Sequence, residues 1–267
     1  MNADGSDKVQ VFRPQAYHVQ LSHAAHGGHA WYLYVGASPD ASGRGALYAV
    51  RDDGDPASTV LLLEGADLPG TRYLHEFPRW GKDDSFVSVA AFDGGNDVAE
   101  IWAMNIAFDA TTGNPALASV PEAVVYEPQA NIAVHDWSPL ADEVVYTLDL
   151  GDATALMIKD LLSGETRLLL GDAVDPFWSP DGAKIAFQGA GVEVINPDGT
   201  GRTALADGYL AGWSPDSQHI TYGVVKQRAG SGGTTYIADV MRISATGGKE
   251  VNLTKDIDGW AMPEFWR

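Results

Sequence analysis

Short apolar segments alternate with polar turns along most of this chain. In the clearest stretch, apolar and polar positions alternate at residues 192–194, Val-Glu-Val, and short segments that end on apolar residues lie before and after it, at residues 184–187 and 202–205. An Asn-Pro-Asp-Gly sequence at residues 196–199 separates the last two of these segments along the chain. Alternation with a period of two, bounded by Gly, Pro and Asp, predicts short antiparallel β-strands joined by tight turns.

One pattern of this kind recurs. The segment WSPDGAKIAF at residues 178–187 is repeated at residues 213–222 and 137–146, with a degenerate copy at residues 80–89. Residues 265–267 match the beginning of a further copy. A repeat of about 40–50 residues that contains several short strands is typical of a β-propeller blade.

A second unit recurs in register with the first. It consists of a strand, an Asp/Gly turn and another strand, and it follows the Trp motif of each repeat. The five copies lie at residues 46–63, 101–126, 156–170, 192–205 and 236–253. We therefore predict four strands per blade, labelled A to D, with the repeat Trp at the end of strand A. A β-sandwich with accidental internal similarity is the alternative, and the joint recurrence of both units argues against it.

The segment 178–205 resembles the TolB-like, WD40-like (PD40-type) β-propeller repeat family. The resemblance covers residues 75–267 well and residues 9–70 loosely. It implies an all-β propeller of four-stranded antiparallel blades. It implies little about activity, because the repeated residues are structural and propellers carry unrelated functions.

We expect a single β-propeller domain over residues 1–267. Its blade repeats are placed near residues 17–64, 75–127, 133–170, 175–205 and 209–254. Strands at residues 9–13 and 262–267 are left over, and they can close the ring in two ways. In the preferred arrangement they form a reduced sixth blade; in the other, the C-terminal strand joins the first blade and the ring has five blades.

The composition narrows the choice of partners. Asp and Glu number 36 against 17 Lys and Arg, and the formal charge is −19. Such a surface argues against nucleic acid and against anionic membranes, since both require basic patches. Cysteine is absent, which excludes disulfides. No apolar run is long enough for a signal peptide or a membrane-inserted helix. A periplasmic or extracellular location is expected, with the cytoplasm left open.

Candidate binding residues collect at the start of strand A, which lines the channel mouth in propellers. Alignment on the repeat Trp gives the following rim set: His18, His75, Glu76, His135, Asp136, Asp175, Asp207, Asp258 and Trp260. These residues are either contacts for a ligand or partner, or ordinary solvated rim residues. A third interpretation takes His18, His75, His135 and Asp175 as ligands of a divalent metal such as Zn²⁺ or Mn²⁺. Propeller lyases that act on pectin fragments hold a metal in this way, although only the blade motif is shared with them.

Other chemistry is not indicated. A His-x2-His-x2-His cluster at His23, His26 and His29 has no accompanying acid in its motif, and we interpret it as a chance surface cluster. G-x-S-x-G, H-E-x-x-H and P-loop motifs are absent from the sequence. The function expected is a non-catalytic binding or scaffolding module, without a cofactor, that receives a peptide, protein or small ligand at the channel mouth. A basic partner is favoured. The alternatives are a metal-dependent carbohydrate lyase or hydrolase, and the propeller domain of a larger peptidase-like protein.

Overall fold

The structure is a computed structural model that describes residues 19–40, 42–53, 55–75, 77–94, 98–230 and 233–255. These residues form twenty-two β-strands in five antiparallel sheets, with three short 3-10 helices at Pro56–Ser58, Gly65–Asp67 and Lys82–Asp84. The described residues divide into an N-terminal unit, up to residue 171, and a C-terminal unit, from residue 172 onwards. In the described part of the chain, no helix is long and apolar enough to cross a membrane.

The N-terminal unit contains three sheets. The first consists of β1 (Gln20–Leu21), β2 (Trp31–Gly36), β3 (Ala46–Arg51) and β4 (Val60–Glu64). The second consists of β5 (Arg72–Leu74), β6 (Arg79–Trp80), β7 (Phe86–Asp93), β8 (Val98–Phe108), β9 (Pro115–Leu117) and β10 (Glu122–Pro128). The third consists of β11 (Asn131–Trp137), β12 (Glu143–Asp149), β13 (Thr154–Asp160) and β14 (Thr166–Gly171).

The C-terminal unit contains two sheets. One consists of β15 (Val174–Trp178), β16 (Ile185–Gln188), β17 (Val192–Ile195) and β18 (Thr203–Ala206). The other consists of β19 (Tyr209–Trp213), β20 (His219–Gly230), β21 (Gly233–Ser244) and β22 (Val251–Asn252). Each sheet is an up-and-down meander in chain order, which confirms the predicted order of strands A to D. The two closing strands expected at residues 9–13 and 262–267 lie outside the described residues, and the five sheets match the five-bladed alternative.

Three of the repeat Trp residues, Trp80, Trp137 and Trp213, are packed between neighbouring sheets of the same unit, as predicted. Within the N-terminal unit, Trp80 Nε1 donates to the backbone oxygen of Trp31 at 3.2 Å. In the same unit Trp137 Nε1 donates to Ser88 Oγ at 2.7 Å. Within the C-terminal unit, Trp213 Nε1 donates to the backbone oxygen of Phe177 at 2.9 Å. Each indole therefore fills apolar space and also satisfies its polar edge on the preceding sheet.

A second device, which we call the turn latch, joins the A–B turns of successive sheets. In the N-terminal unit, the Ala24 N–H donates to Asp84 Oδ2 at 2.9 Å. In the C-terminal unit, the Asp181 N–H donates to Ser217 Oγ at 3.0 Å. Asp84 and Ser217 both lie four residues after a repeat Trp, and both have left-handed backbone, with φ of 55° and 59°. The same structural position is therefore used in both units, with a carboxylate in one and a hydroxyl in the other.

The N-terminal latch gathers the His cluster, so its interpretation as a chance surface feature is wrong. His23 Nδ1 lies 2.8 Å from Asp84 Oδ1, and His26 Nε2 lies 2.9 Å from Asp84 Oδ2. The His26 ring stacks on Phe108 with 3.5 Å between ring centroids. His29 pairs separately with Asp52, at 3.3 Å. Two histidines thus bind one buried carboxylate of the next sheet.

Asp84 is ionised although its side chain is fully buried. Burial opposes ionisation, but hydrogen bonds from the His23 ring and backbone N–H, the His26 ring and the Ala24 N–H outweigh it and lower the pKa of Asp84 to about 2. An ordinary Asp titrates at 3.8. The latch therefore stabilises the fold above pH 3.8, and this contribution is lost as the pH falls towards 2.

We predict that Asp84→Asn lowers the free energy of unfolding by about 2–4 kcal/mol at neutral pH, because charge-assisted hydrogen bonds become neutral ones and buried donors lose their acceptor. Urea denaturation measures the loss. Asp83→Asn is the matched control, since Asp83 is adjacent, is exposed and has the same left-handed backbone, with φ of 57°. The control should stay within about 0.5 kcal/mol of the parent.

The same pair of proteins gives a pH test. The stability gap between the parent and Asp84→Asn should be constant above pH 3.8 and should shrink as the pH approaches 2. A gap that is independent of pH throughout the acid range would show that the carboxylate charge does not hold the latch.

Candidate functional site

The first strand of the sheets is irregular shortly before the repeat Trp. In the N-terminal unit, β11 shifts register between Ile132 and His135, and the first strand of the second sheet is broken into β5 and β6. In the C-terminal unit, β15 shifts between Val174 and Phe177, and β19 shifts between Leu210 and Gly212. A bulge re-aims the side chains around it. The five predicted rim residues that the structure describes lie in or beside these irregular segments: His75, His135, Asp136, Asp175 and Asp207.

Five residues of the N-terminal unit come together there, and we call them the inner-strand cluster. They are His75, Arg79, Ser88, His135 and Asp136. His135 Nε2 lies 2.8 Å from Ser88 Oγ, which also accepts the Trp137 indole N–H. Arg79 Nε lies 3.6 Å from Asp136 Oδ1, and Arg79 Nη1 donates to the Pro78 oxygen at 3.0 Å. The cluster links β6 and β7 of the second sheet to β11 of the third.

Burial divides the cluster into two layers. Arg79, Ser88 and His135 are buried. His75 and Asp136 are half-buried, so they are the members that a ligand can reach. The His75 ring contacts Phe92 edge-on, with 5.8 Å between ring centroids, and the backbone N–H of His75 donates to the backbone oxygen of Ala90 at 2.8 Å. The two accessible residues, His75 and Asp136, thus lie next to the buried members of the cluster.

His135 is neutral in the folded protein. Burial lowers its pKa well below 6.5, and the nearby charges of Arg79 and His75 lower it further. His135 Nδ1 is buried without a hydrogen-bond partner among the described residues. The imidazole therefore serves as a neutral hydrogen-bonding group rather than as a cation.

The C-terminal unit places two predicted rim residues. Asp175 is half-buried in β15 and has left-handed backbone, with φ of 54°, a conformation that Asp tolerates better than most residues. Asp207 is exposed in the turn between β18 and β19. The Gln188 side chain makes two hydrogen bonds to the backbone beside this turn: Gln188 Nε2 donates to the Gly208 oxygen, and Gln188 Oε1 accepts the Leu210 N–H. The backbone next to Asp207 is therefore held in place by the Gln188 side chain.

The remaining predicted rim residues, His18, Glu76, Asp258 and Trp260, lie outside the described residues. Within the described ranges, no group of three or more His, Cys, Asp or Glu side chains is arranged to hold a metal ion. The proposed metal set of His18, His75, His135 and Asp175 includes an undescribed residue and stays a prediction.

Sequence reasoning missed two members of the cluster. Arg79 belongs to no recognised motif, since a basic residue beside a repeat Trp is typical of a solvent-exposed position, and a Ser within a strand such as Ser88 carries no motif either. A signal for the irregular strand was nonetheless present. Pro78 and Pro176 each lie two residues before a repeat Trp, and proline inside a strand indicates a bulge.

We predict that the His135 imidazole stays neutral well below pH 6.5. Two-dimensional NMR of the ring nitrogens, followed as a function of pH, reports the protonation state directly. The unfolded chain protonates this group below about pH 6.5, so the burial of a neutral imidazole also makes the fold less stable in acid. A ring that titrates with a midpoint near 6.5 would contradict the buried environment.

The comparisons with known proteins show the fold. No family model matches the chain, and no curated protein matches it. Among solved structures, TolB from Acinetobacter baumannii is 15% identical with a TM-score of 0.60, and the match covers 85% of this chain and 53% of that one. The chain thus spans about half the length of that TolB.

Two further structures are similar in the same way. A TolB described as putative, from Agrobacterium tumefaciens, is 17% identical with a TM-score of 0.59, and the match covers 88% of this chain and 79% of that one. An oligogalacturonate lyase in complex with manganese is 15% identical with a TM-score of 0.53, with 88% and 72% covered. These likenesses extend to the fold and no further, and the chain therefore has the TolB-like β-propeller fold.

Proposed function

We propose that this chain is a non-catalytic binding or scaffolding module, which receives a peptide or protein partner at the channel mouth of its propeller. The inner-strand cluster is the observation that carries the proposal. His75 offers an imidazole and Asp136 offers a carboxylate, and both side chains are half-buried and accessible. Arg79 and His135, which are buried, lie beside them.

The cluster suits binding because it is ordered before any ligand arrives. Asp136 is paired with Arg79, and the His75 ring is held against Phe92. A partner that docks on such groups loses little additional side-chain entropy, and pre-organisation of this kind raises affinity. The half-buried position of both groups also places them in a partly desolvated setting, where hydrogen bonds are stronger than in bulk water.

The charge of the chain favours a basic partner. A formal charge of −19 attracts cationic partners over long distances and speeds their encounter. Asp175 and Asp207 add carboxylates on the first strand of one sheet and in the turn before that of the next. A periplasmic or extracellular location is part of the proposal, since the absence of cysteine agrees with export.

A displayed library of short peptides, selected against the immobilised chain, tests the proposal. We expect the selected peptides to be basic. We also expect His75→Ala and Asp136→Asn each to weaken a selected peptide by about tenfold, because each removes one direct contact worth about 1.4 kcal/mol. Calorimetry measures the affinities, and binding should weaken as salt shortens the Debye length below about 10 Å.

Asp152→Asn is the matched control. Asp152 is an exposed aspartate of the third sheet, in the turn between β12 and β13, and it does not belong to the inner-strand cluster. The affinity of Asp152→Asn for a selected peptide should match that of the parent. Selected peptides that lose equal affinity in Asp152→Asn and Asp136→Asn, or that ignore salt, would contradict the proposal.

A metal-dependent enzyme is the second candidate. The observation that favours it is the proximity of His75 and His135, which is close enough for the charge of one to lower the pKa of the other. His135 Nε2 is already paired with Ser88, so a metal at this position would have to displace that contact or use Nδ1.

Metal analysis and thermal denaturation of untagged protein decide between the two candidates. If the binding module is correct, Zn²⁺ and Mn²⁺ should leave the Tm unchanged, since only a ligand that binds the native state stabilises it. A rise in Tm with either metal that disappears in both His75→Ala and His135→Ala would instead establish the metal site.

A further inference from the structure

A groove lies between the second and third sheets of the N-terminal unit, apart from the inner-strand cluster. Its volume is about 580 Å³, within the range of about 300–1,000 Å³ that is usual for ligand sites. The A–B turns of the two sheets border it, at Lys82–Asp84 in the second and at residues 138–142 in the third. Among the predicted rim residues that the structure describes, none lines it.

The groove exists because the outer strand of the second sheet is interrupted. β8 pairs with β10 along its first part and with β9 along its last part. Residues 118–121, which connect β9 to β10, do not belong to a strand. The interruption is held in place, since the Asn105 N–H donates to Ser119 Oγ at 2.9 Å and the Ala118 N–H donates to the Asn105 oxygen at 2.8 Å. The opening is therefore built into the backbone.

The floor of the groove is apolar and its edge is acidic. Phe86, Met104 and Trp137 form the floor, with the Phe86 ring edge-on to the Trp137 ring at 4.7 Å between centroids. The lining also contains three carboxylates, Asp83, Glu122 and Asp142, and one ammonium group, that of Lys82. Negative charge thus exceeds positive charge around an apolar centre.

Val120, the most exposed large apolar side chain of the described residues, belongs to this groove. Val120 lines it and is 84% exposed. Leu140 and Leu162, which are 70% and 82% exposed, are the direct neighbours of the lining residues Ala141 and Leu161. An exposed valine at the edge of an apolar floor, with two further exposed leucines next to lining residues in sequence, distinguishes this groove from the scattered single exposures that are ordinary on a protein surface.

We propose that the groove binds a short peptide segment of a partner, one with an apolar anchor flanked by Lys or Arg. The apolar floor accommodates the anchor, and the three carboxylates pair with the flanking cations. Charge complementarity distinguishes this occupant from a second copy of the chain, since a copy would bring a charge of −19 to an acidic edge. The site is separate from the channel mouth and adds a second point of attachment.

The probe is a fluorescein-labelled peptide with a Leu-Phe centre and Lys and Arg on both sides. Its twin carries Glu and Asp in place of the basic residues. Fluorescence polarisation should show saturable binding of the basic peptide and at least about tenfold weaker binding of the acidic twin. Val120→Asp and Asp142→Lys should each weaken the basic peptide by about tenfold, the first by placing charge on the apolar surface and the second by reversing an edge charge.

Matched controls are available in the third sheet. Leu168→Asp makes the same change at an apolar residue that is 62% exposed and does not line the groove, and Asp152→Lys makes the same charge reversal at another turn. Both should stay within about twofold of the parent. Equal losses in groove and control variants, equal affinity for the two peptides, or no saturable binding would overturn the proposal.

Two further outcomes would also overturn it. Loss of binding in Asp136→Asn but not in Asp142→Lys would place the peptide at the channel mouth; the groove proposal would then fail and the proposed function would stand. A dimer in sedimentation equilibrium that Val120→Asp dissociates would make a second copy of the chain the occupant.

Discussion

One buried hydroxyl connects the second blade of this propeller to the third. Ser88 Oγ, in β7, accepts the indole N–H of Trp137 and pairs with the Nε2 atom of His135, at 2.7 and 2.8 Å. Both partners belong to β11, so the hydroxyl fixes the end of that strand and its bulge together. Ser88 therefore takes part both in the packing of the two blades and in the orientation of the candidate site. Loss of its hydroxyl leaves the buried Trp137 indole N–H and His135 Nε2 without this hydrogen-bond partner.

The two binding regions proposed for the N-terminal unit differ in their chemistry. The inner-strand cluster is small, polar and ordered, with a buried Arg79 and a neutral His135 beneath accessible His75 and Asp136. The groove is larger, apolar and edged by carboxylates. A partner with one basic segment and a second, apolar one could occupy both, and two linked sites of modest affinity bind far more tightly than either alone.

The blades could be predicted from the sequence because each copy of the Trp motif reports on its own local strand order. The strands of all five sheets follow that order, down to the positions of the C–D pairs. The blade-to-blade contacts could not be predicted in the same way. That Asp84 would receive His23 and His26, or that Ser88 would meet His135, depends on how one blade is rotated against the next, and no single repeat contains this information. Pro78 and Pro176 indicated the bulges, but only the structure shows which side chains those bulges turn towards one another.

Hydrogen exchange of the chain, with and without a saturating peptide from the library selection, tests the central claim most directly. We predict slower exchange of the backbone amides within residues 72–80 and 131–137, which carry every member of the inner-strand cluster except Ser88, and no change in the outer strand Thr166–Gly171. Protection confined to outer strands, with unchanged exchange in residues 72–80 and 131–137, would contradict it.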